Sequence, residues 1–94
     1  IKTREQIEAV VKAVAPKPFN FLNSANFGFS VDDLAAMGVR RISVGGTLAR
    51  VAWTAFVHAA REIATEGRFT KFDGNMPNSD FNAFFSADRK NRTL

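Results

Sequence analysis

Apolar residues recur at helical spacing over Ile7, Val10, Val11 and Val14 and stop at Ala15-Pro16, while Thr3 and Gln6 stand three apart as in a capping box. The spacing predicts an amphipathic helix. Phe19-Asn20-Phe21-Leu22 is too short for a helix, is rich in aromatics and is bounded by turn formers, so it reads as a strand. A loop over 23–29 leads to Ser30, a predicted N-cap whose first turn carries Asp32 and Asp33, acids that the helix dipole favours there. This second helix is expected to end at Met37-Gly38. Residues 39–44 form a second predicted strand, Gly45-Gly46 a tight break, and Thr47 the cap of a long helix reaching about Glu66-Gly67. A polar tail over 68–94 holds a short predicted helix near 79–86.

The order helix, strand, helix, strand, helix, with short connections, is that of right-handed βαβ crossovers and parallel strands. Two parallel strands cannot form a stable sheet alone, because both faces need covers and both outer edges stay unpaired. Three βα units of a (β/α)₈ barrel would occupy roughly 90 residues if about 250 serve eight. The expected fold class is therefore α/β, a single partial domain over 1–94 that forms the C-terminal part of a (β/α)₈ TIM barrel. Strand alternation sets Phe19 and Phe21 against Asn20 and Leu22, and Ile42 and Val44 against Ser43 and Gly45. With the bulky faces under the outer helices, Asn20, Leu22, Ser43 and Gly45 point inward.

That arrangement makes Asn20, Leu22, Ser43, Gly45 and Gly46 the candidate substrate-binding residues. Barrel active sites lie at the C-terminal ends of the strands, and the last loops often bind an anion through N–H groups at a helix N-terminus. Gly45-Gly46 permits close backbone approach, and Thr47 opens a helix whose dipole favours a carboxylate or phosphoryl oxygen. A plain strand-to-helix turn accounts for the glycines equally well, and Asn20 and Ser43 also suit satisfied interior polar positions. Asp32, Asp33 and Glu62 read as solvated helix charges. Asp73, in "FDGN", reads as a turn residue, since the spaced oxygen ligands of a calcium loop are missing.

Composition narrows the remaining choices. The 94 residues contain no cysteine, which excludes a disulfide framework, a thiolate metal site and a cysteine nucleophile, and a reducing cytoplasm is the expected setting. No apolar run of about 18 residues and no signal-peptide pattern occurs, so no membrane partner is expected. The start at Ile1 without methionine suggests a processed or truncated product. A net charge of +4 invites nucleic acid as a partner. The positions argue against it: Lys2, Arg4, Lys12 and Lys17 are scattered or interleaved with acids, and Arg89, Lys90 and Arg92 fall in the polar end.

The long helix carries Leu48, Ala52, Ala55, Phe56, Ala59 and Ile63 on one stripe, and Val51, Trp53, Val57 and Ala60 widen it. Only Arg50, Thr54, His58, Arg61 and Glu62 remain as a polar strip, and His58 reads as a surface residue. A helix apolar on two sides needs a further partner.

The segments "APKPFNFL", "SVDDLAAMGVRRISVGGTLARVAWTAFVHAAREIATEGRF" and "SDFNAFF" resemble the C-terminal third of the isocitrate lyase/phosphoenolpyruvate mutase superfamily. The nearest branch is the phosphonomutase-like one, similar to carboxyvinyl-carboxyphosphonate phosphorylmutase, although Met37 stands where leucine is commoner. The resemblance implies a (β/α)₈ barrel whose seventh and eighth strands are the two above. It implies a Mg²⁺-dependent lyase or mutase that cleaves or rearranges a C–C or P–C bond of a 2-oxo acid or phosphonate substrate. The family's metal ligands and general acid/base loop belong to earlier strands, so the resemblance puts no catalytic residue and no metal ligand on this chain, and the chain alone is expected to be inactive. It also implies a homo-oligomer, with possible exchange of helix 47–66 between subunits. The alternative is a non-catalytic α/β interaction module that assembles through its long helix.

Overall fold

The computed structural model describes residues 1–92; the last two residues of the expected tail lie outside the described residues. The described elements run α1 (Arg4–Val14), β1 (Asn20–Leu22), α2 (Val31–Ala36), β2 (Arg41–Ser43), α3 (Thr47–Glu66), a 3₁₀ turn (Thr70–Phe72) and α4 (Asn78–Asn91). The chain divides into two compact units, Ile1–Thr54 and the part from Ala55 onward, with the boundary inside α3.

In the first unit, α1 starts as its spacing predicts. Thr3 Oγ1 accepts the Gln6 N–H while the Gln6 side chain accepts the Thr3 N–H, so two of the helix's unpaired donors are satisfied reciprocally. Helix α2 has the same device in Ser30 and Asp33. β1 and β2 pair in parallel, with Asn20 opposite Arg41, Phe21 opposite Ile42 and Leu22 opposite Ser43. The core is small: Ile7 of α1, Phe21 of β1, Leu34 of α2, and Met37 and Val39 after it are buried, with Val11, Phe19, Phe27, Phe29 and Ile42 packed against them. Phe27 meets Phe21 edge to face, ring centres 6.1 Å apart, which folds the loop after β1 back onto the core.

Both strands are shorter than the pattern predicts, β1 by Phe19 alone, and for β2 the cause is local. Gly38 takes a left-handed conformation, φ +92°, and Gly38 N–H and Val39 N–H return to the carbonyls of Ala35 and Leu34. This pair of bonds closes α2 as a Schellman motif and claims Val39, which the alternation assigned to β2. Val44 departs in the same way. It lies beyond the last paired residue and is exposed, its carbonyl accepting the Thr47 N–H in the turn, so it does not join Ile42 on the core face. The cap of α3 shifts by one residue, since Gly46 supplies the carbonyl that accepts the first helical bond, from Arg50, and Thr47 is already helical.

The second unit contains the rest of α3, the unanticipated 3₁₀ turn and α4. Where a short helix is expected near 79–86, α4 extends over Asn78–Asn91. No residue of α3 is buried, and Leu48 and Val51 are 70% and 62% exposed. Among the described residues no helix is long and apolar enough to cross a membrane.

Candidate functional site

The two strands present a polar pair on their exposed face. Phe21 points into the core at 2% exposure, so period-two alternation turns Asn20 and Leu22 to the other side. Asn20 Nδ2 donates to Ser43 Oγ at 3.0 Å, diagonally across the ladder. Ser43 Oγ accepts in this bond, which leaves its own proton, and the second Nδ2 hydrogen of Asn20, available to one acceptor on that face. Leu22 extends the face and is half exposed. Gly45 follows with φ +55°, and a Cβ there would lie 3.5 Å from Leu22 Cδ1, so the turn passes close to the strand face. Nothing stands within 4 Å of where a Gly46 Cβ would be, which leaves the start of α3 open. Asn20, Leu22, Ser43 and Gly45 thus lie together on one side of the sheet, with Gly46 adjoining.

A cavity of about 380 Å³ lies beside β1, lined by Phe19, Asn20, Phe21 and Leu22 in succession and by Lys2 and Ser24 among others. Consecutive strand residues point to opposite faces, so a hollow that touches all four follows the strand's edge. β1 has β2 as its partner on one side, and this edge is its unpaired one.

Sequence reasoning passed over Asn23 and Ser24. Asn23 directly follows β1, its N–H bonded to the Ser43 carbonyl at 2.8 Å, and its Oδ1 is buried without a hydrogen-bond partner. An unsatisfied buried acceptor costs about 1–3 kcal/mol, so this position calls for a donor. The Ser24 carbonyl accepts from Thr47 Oγ1 at 3.2 Å and from Arg50 Nη2 at 3.3 Å. The available signal was positional: a polar residue directly at the C-terminal end of a strand.

Two of the acids read as free solvated charges are engaged. Asp33 Oδ2 accepts the Ser30 N–H and the Ser30 hydroxyl, both at 2.8 Å, and these bonds hold its carboxyl below the usual aspartate value. Glu62 accepts the Thr70 hydroxyl on one oxygen and the Lys71 N–H on the other at 3.1 Å, and is likewise lowered, first by Thr70 and then by Lys71. Asp73 closes the 3₁₀ turn, and Asp32 stays exposed in the first turn of α2. His58 is exposed beside a cleft of about 430 Å³ that includes Arg61, Glu62, Glu66 and Lys71. Among the described residues no three His, Asp or Glu side chains gather into a group that could hold a metal ion.

Residues 1–64 match the family model described as phosphoenolpyruvate phosphomutase. The chain belongs to this family, within the isocitrate lyase/phosphoenolpyruvate mutase superfamily. Its structure is similar to the crystal structure of a candidate lyase/mutase from Burkholderia cenocepacia J2315, with a TM-score of 0.82 and 42% identity over 92% of this chain. It is similar in fold to oxaloacetate acetylhydrolase in complex with the inhibitor 3,3-difluorooxalacetate, with a TM-score of 0.68 and 24% identity over 96% of this chain. In each case the chain spans 31% of the other protein's length. Among curated proteins there is no significant match.

Proposed function

We propose that this chain forms the C-terminal part of a (β/α)₈ barrel in a cytoplasmic lyase or mutase that acts on a C–C or P–C bond of a 2-oxo acid or phosphonate. The observation that carries the reading is the Asn20–Ser43 pair on the open face of a two-stranded parallel sheet whose β1 edge borders a strand-long hollow. Further parallel strands would cover that edge and turn the Asn20 face toward a barrel interior.

The role of the chain in that reading is to bind and orient. The Ser43 hydroxyl and the second Asn20 amide hydrogen converge as two donors, a pattern that suits a carboxylate or phosphoryl oxygen. Leu22 supplies apolar contact beside them. The Gly45-Gly46 turn exposes backbone N–H groups at the start of α3. Metal chemistry is not assigned to any residue here, because the acids present are dispersed or engaged in capping.

The exposed apolar surface of α3 supports a second element of the reading, a homo-oligomer in which this helix is covered by another subunit, with exchange of helix 47–66 as one arrangement. The same exposed surface favours the alternative of a non-catalytic module. The test is turnover. The complete protein is expected to convert 2-oxo acid or phosphonate substrates with Mg²⁺ present, and the 94-residue chain alone is expected to be inert. A complete protein that assembles as a folded oligomer yet converts none of these substrates overturns the enzyme reading in favour of the module.

A further inference from the structure

The peptides on either side of the Asn23–Ser24 step are each held by a hydrogen bond from a different element. On one side Asn23 N–H donates to the Ser43 carbonyl at the end of β2. On the other, the Ser24 carbonyl receives Thr47 Oγ1 and Arg50 Nη2 from the first turn of α3, 23 and 26 residues away in sequence. Arg50 Nη2 also reaches Thr47 Oγ1 at 3.2 Å, which closes the three groups into a ring. Beyond this ring the loop before α2 has the short turn in which Asn26 Oδ1 accepts the Gly28 N–H at 3.0 Å, and the Phe27 ring on Phe21.

Arg50 is an informative choice for this position. Its acceptors are a carbonyl and a hydroxyl, both neutral, and none of the ion pairs among the described residues includes it. A guanidinium reaches two acceptors at fixed angles from one planar group, which an ammonium does less well. Ser24, the residue it grips, lines the same cavity as Asn20 and Leu22.

We infer that Arg50 is a positioning residue for the pocket: acting through the Ser24 carbonyl, with Thr47, it fixes the loop over 23–28 against the ends of the strands. The inference rests on the reading of the Asn20 face as a substrate wall. Arg50 itself touches no substrate in this role. It sets the position of Ser24, the residue that follows the Asn23 held by the Ser43 carbonyl.

The test combines hydrogen exchange with kinetics in the complete protein, using Arg50→Gln, Arg50→Lys, Thr47→Val and Asn20→Ala. Arg50→Gln is expected to speed amide exchange over 24–28 by about tenfold or more, the effect of losing the charge-assisted hydrogen bond to the Ser24 carbonyl, while the Phe21 and Ile42 amides keep their protection. KM is expected to rise severalfold with a smaller change in kcat. Arg50→Lys is expected to restore part of both, and Thr47→Val to give a weaker version of the glutamine variant. Unchanged loop exchange in Arg50→Gln overturns the inference. So does faster exchange with unchanged KM when Asn20→Ala is impaired, since the wall is then real and the loop irrelevant to it. Faster exchange with normal kinetics in both variants locates the failure in the wall reading, and the positioning role falls with it.

Discussion

Gly38 faces Val11 so closely that a Cβ built on it would lie 2.7 Å from Val11 Cγ1. The contact joins the end of α2 to the core-facing side of α1, and it coincides with the left-handed backbone that closes the Schellman motif. Two penalties therefore meet at one residue. Gly38→Ala is expected to destabilise the first unit by about 2–4 kcal/mol, combining left-handed strain with overpacking. In a Val11→Ala background, whose own loss of core packing is measured separately, Gly38→Ala is expected to cost only the strain, read as a shift in the urea midpoint. Equal stability of Gly38→Ala and wild type would show that neither penalty operates.

The Asn20–Ser43 bond predicts coupled kinetics in the complete protein. Asn20→Ala is expected to reduce kcat/KM by about 1–3 kcal/mol if its amide meets a charged substrate group. Ser43→Ala is expected to act in the same direction, and the double variant to lose less than the sum, by about 0.5–1.5 kcal/mol, because the two side chains form one donor unit. Strict additivity would reduce the pair to two independent packing residues.

Glu62 predicts a pH effect confined to the second unit. Its folded-state pKa is lowered, chiefly by the Thr70 hydroxyl and then by the Lys71 N–H. A lowered carboxyl stabilises the fold above its ordinary pKa and loses that contribution as pH falls through the folded value. Carboxyl-detected NMR titration is expected to place Glu62 below the ordinary glutamate value. Glu62→Ala, which removes both acceptor oxygens, is expected to free the Lys71 amide at neutral pH. A Glu62 midpoint at or above the ordinary value would contradict the observed bonds.

The exposed stripe of α3 predicts a difference between two single charges. Leu48 is 70% exposed and apolar, whereas His58 stands beside a polar cleft. If another subunit covers the stripe, Leu48→Asp buries an unpaired charge on assembly and is expected to weaken association at least tenfold. His58→Asp is expected to leave sedimentation unchanged. A wild-type chain that sediments as a monomer within the complete protein's context would remove the basis of this prediction.

Much of the local structure was legible in the order of residues. Thr3 with Gln6, and Ser30 as an N-cap, state where α1 and α2 begin, because capping depends on side chains close by in sequence, whereas the return bond from the Ser30 N–H to Asp33 was not read from it. The alternation in Phe19-Asn20-Phe21-Leu22 and Ile42-Ser43 was enough to bring Asn20 and Ser43 to one face, since a strand's period is two whatever surrounds it. The family was legible too, in "GVRRISVGGTLAR" and its neighbours. Local hydrogen bonds set where those elements stop: Val39 left the strand because α2's carbonyls claimed its N–H, and Gly46 displaced Thr47 as the cap of α3. Tertiary structure decided what more distant groups hold, as where Glu62 found its partners eight and nine residues on, at the 3₁₀ turn. Ser24 meets Arg50 from 26 residues away. Periodicity is a property of neighbouring residues and survives in the one-dimensional string, whereas a hydrogen bond between distant groups exists only after packing has set the distance between them.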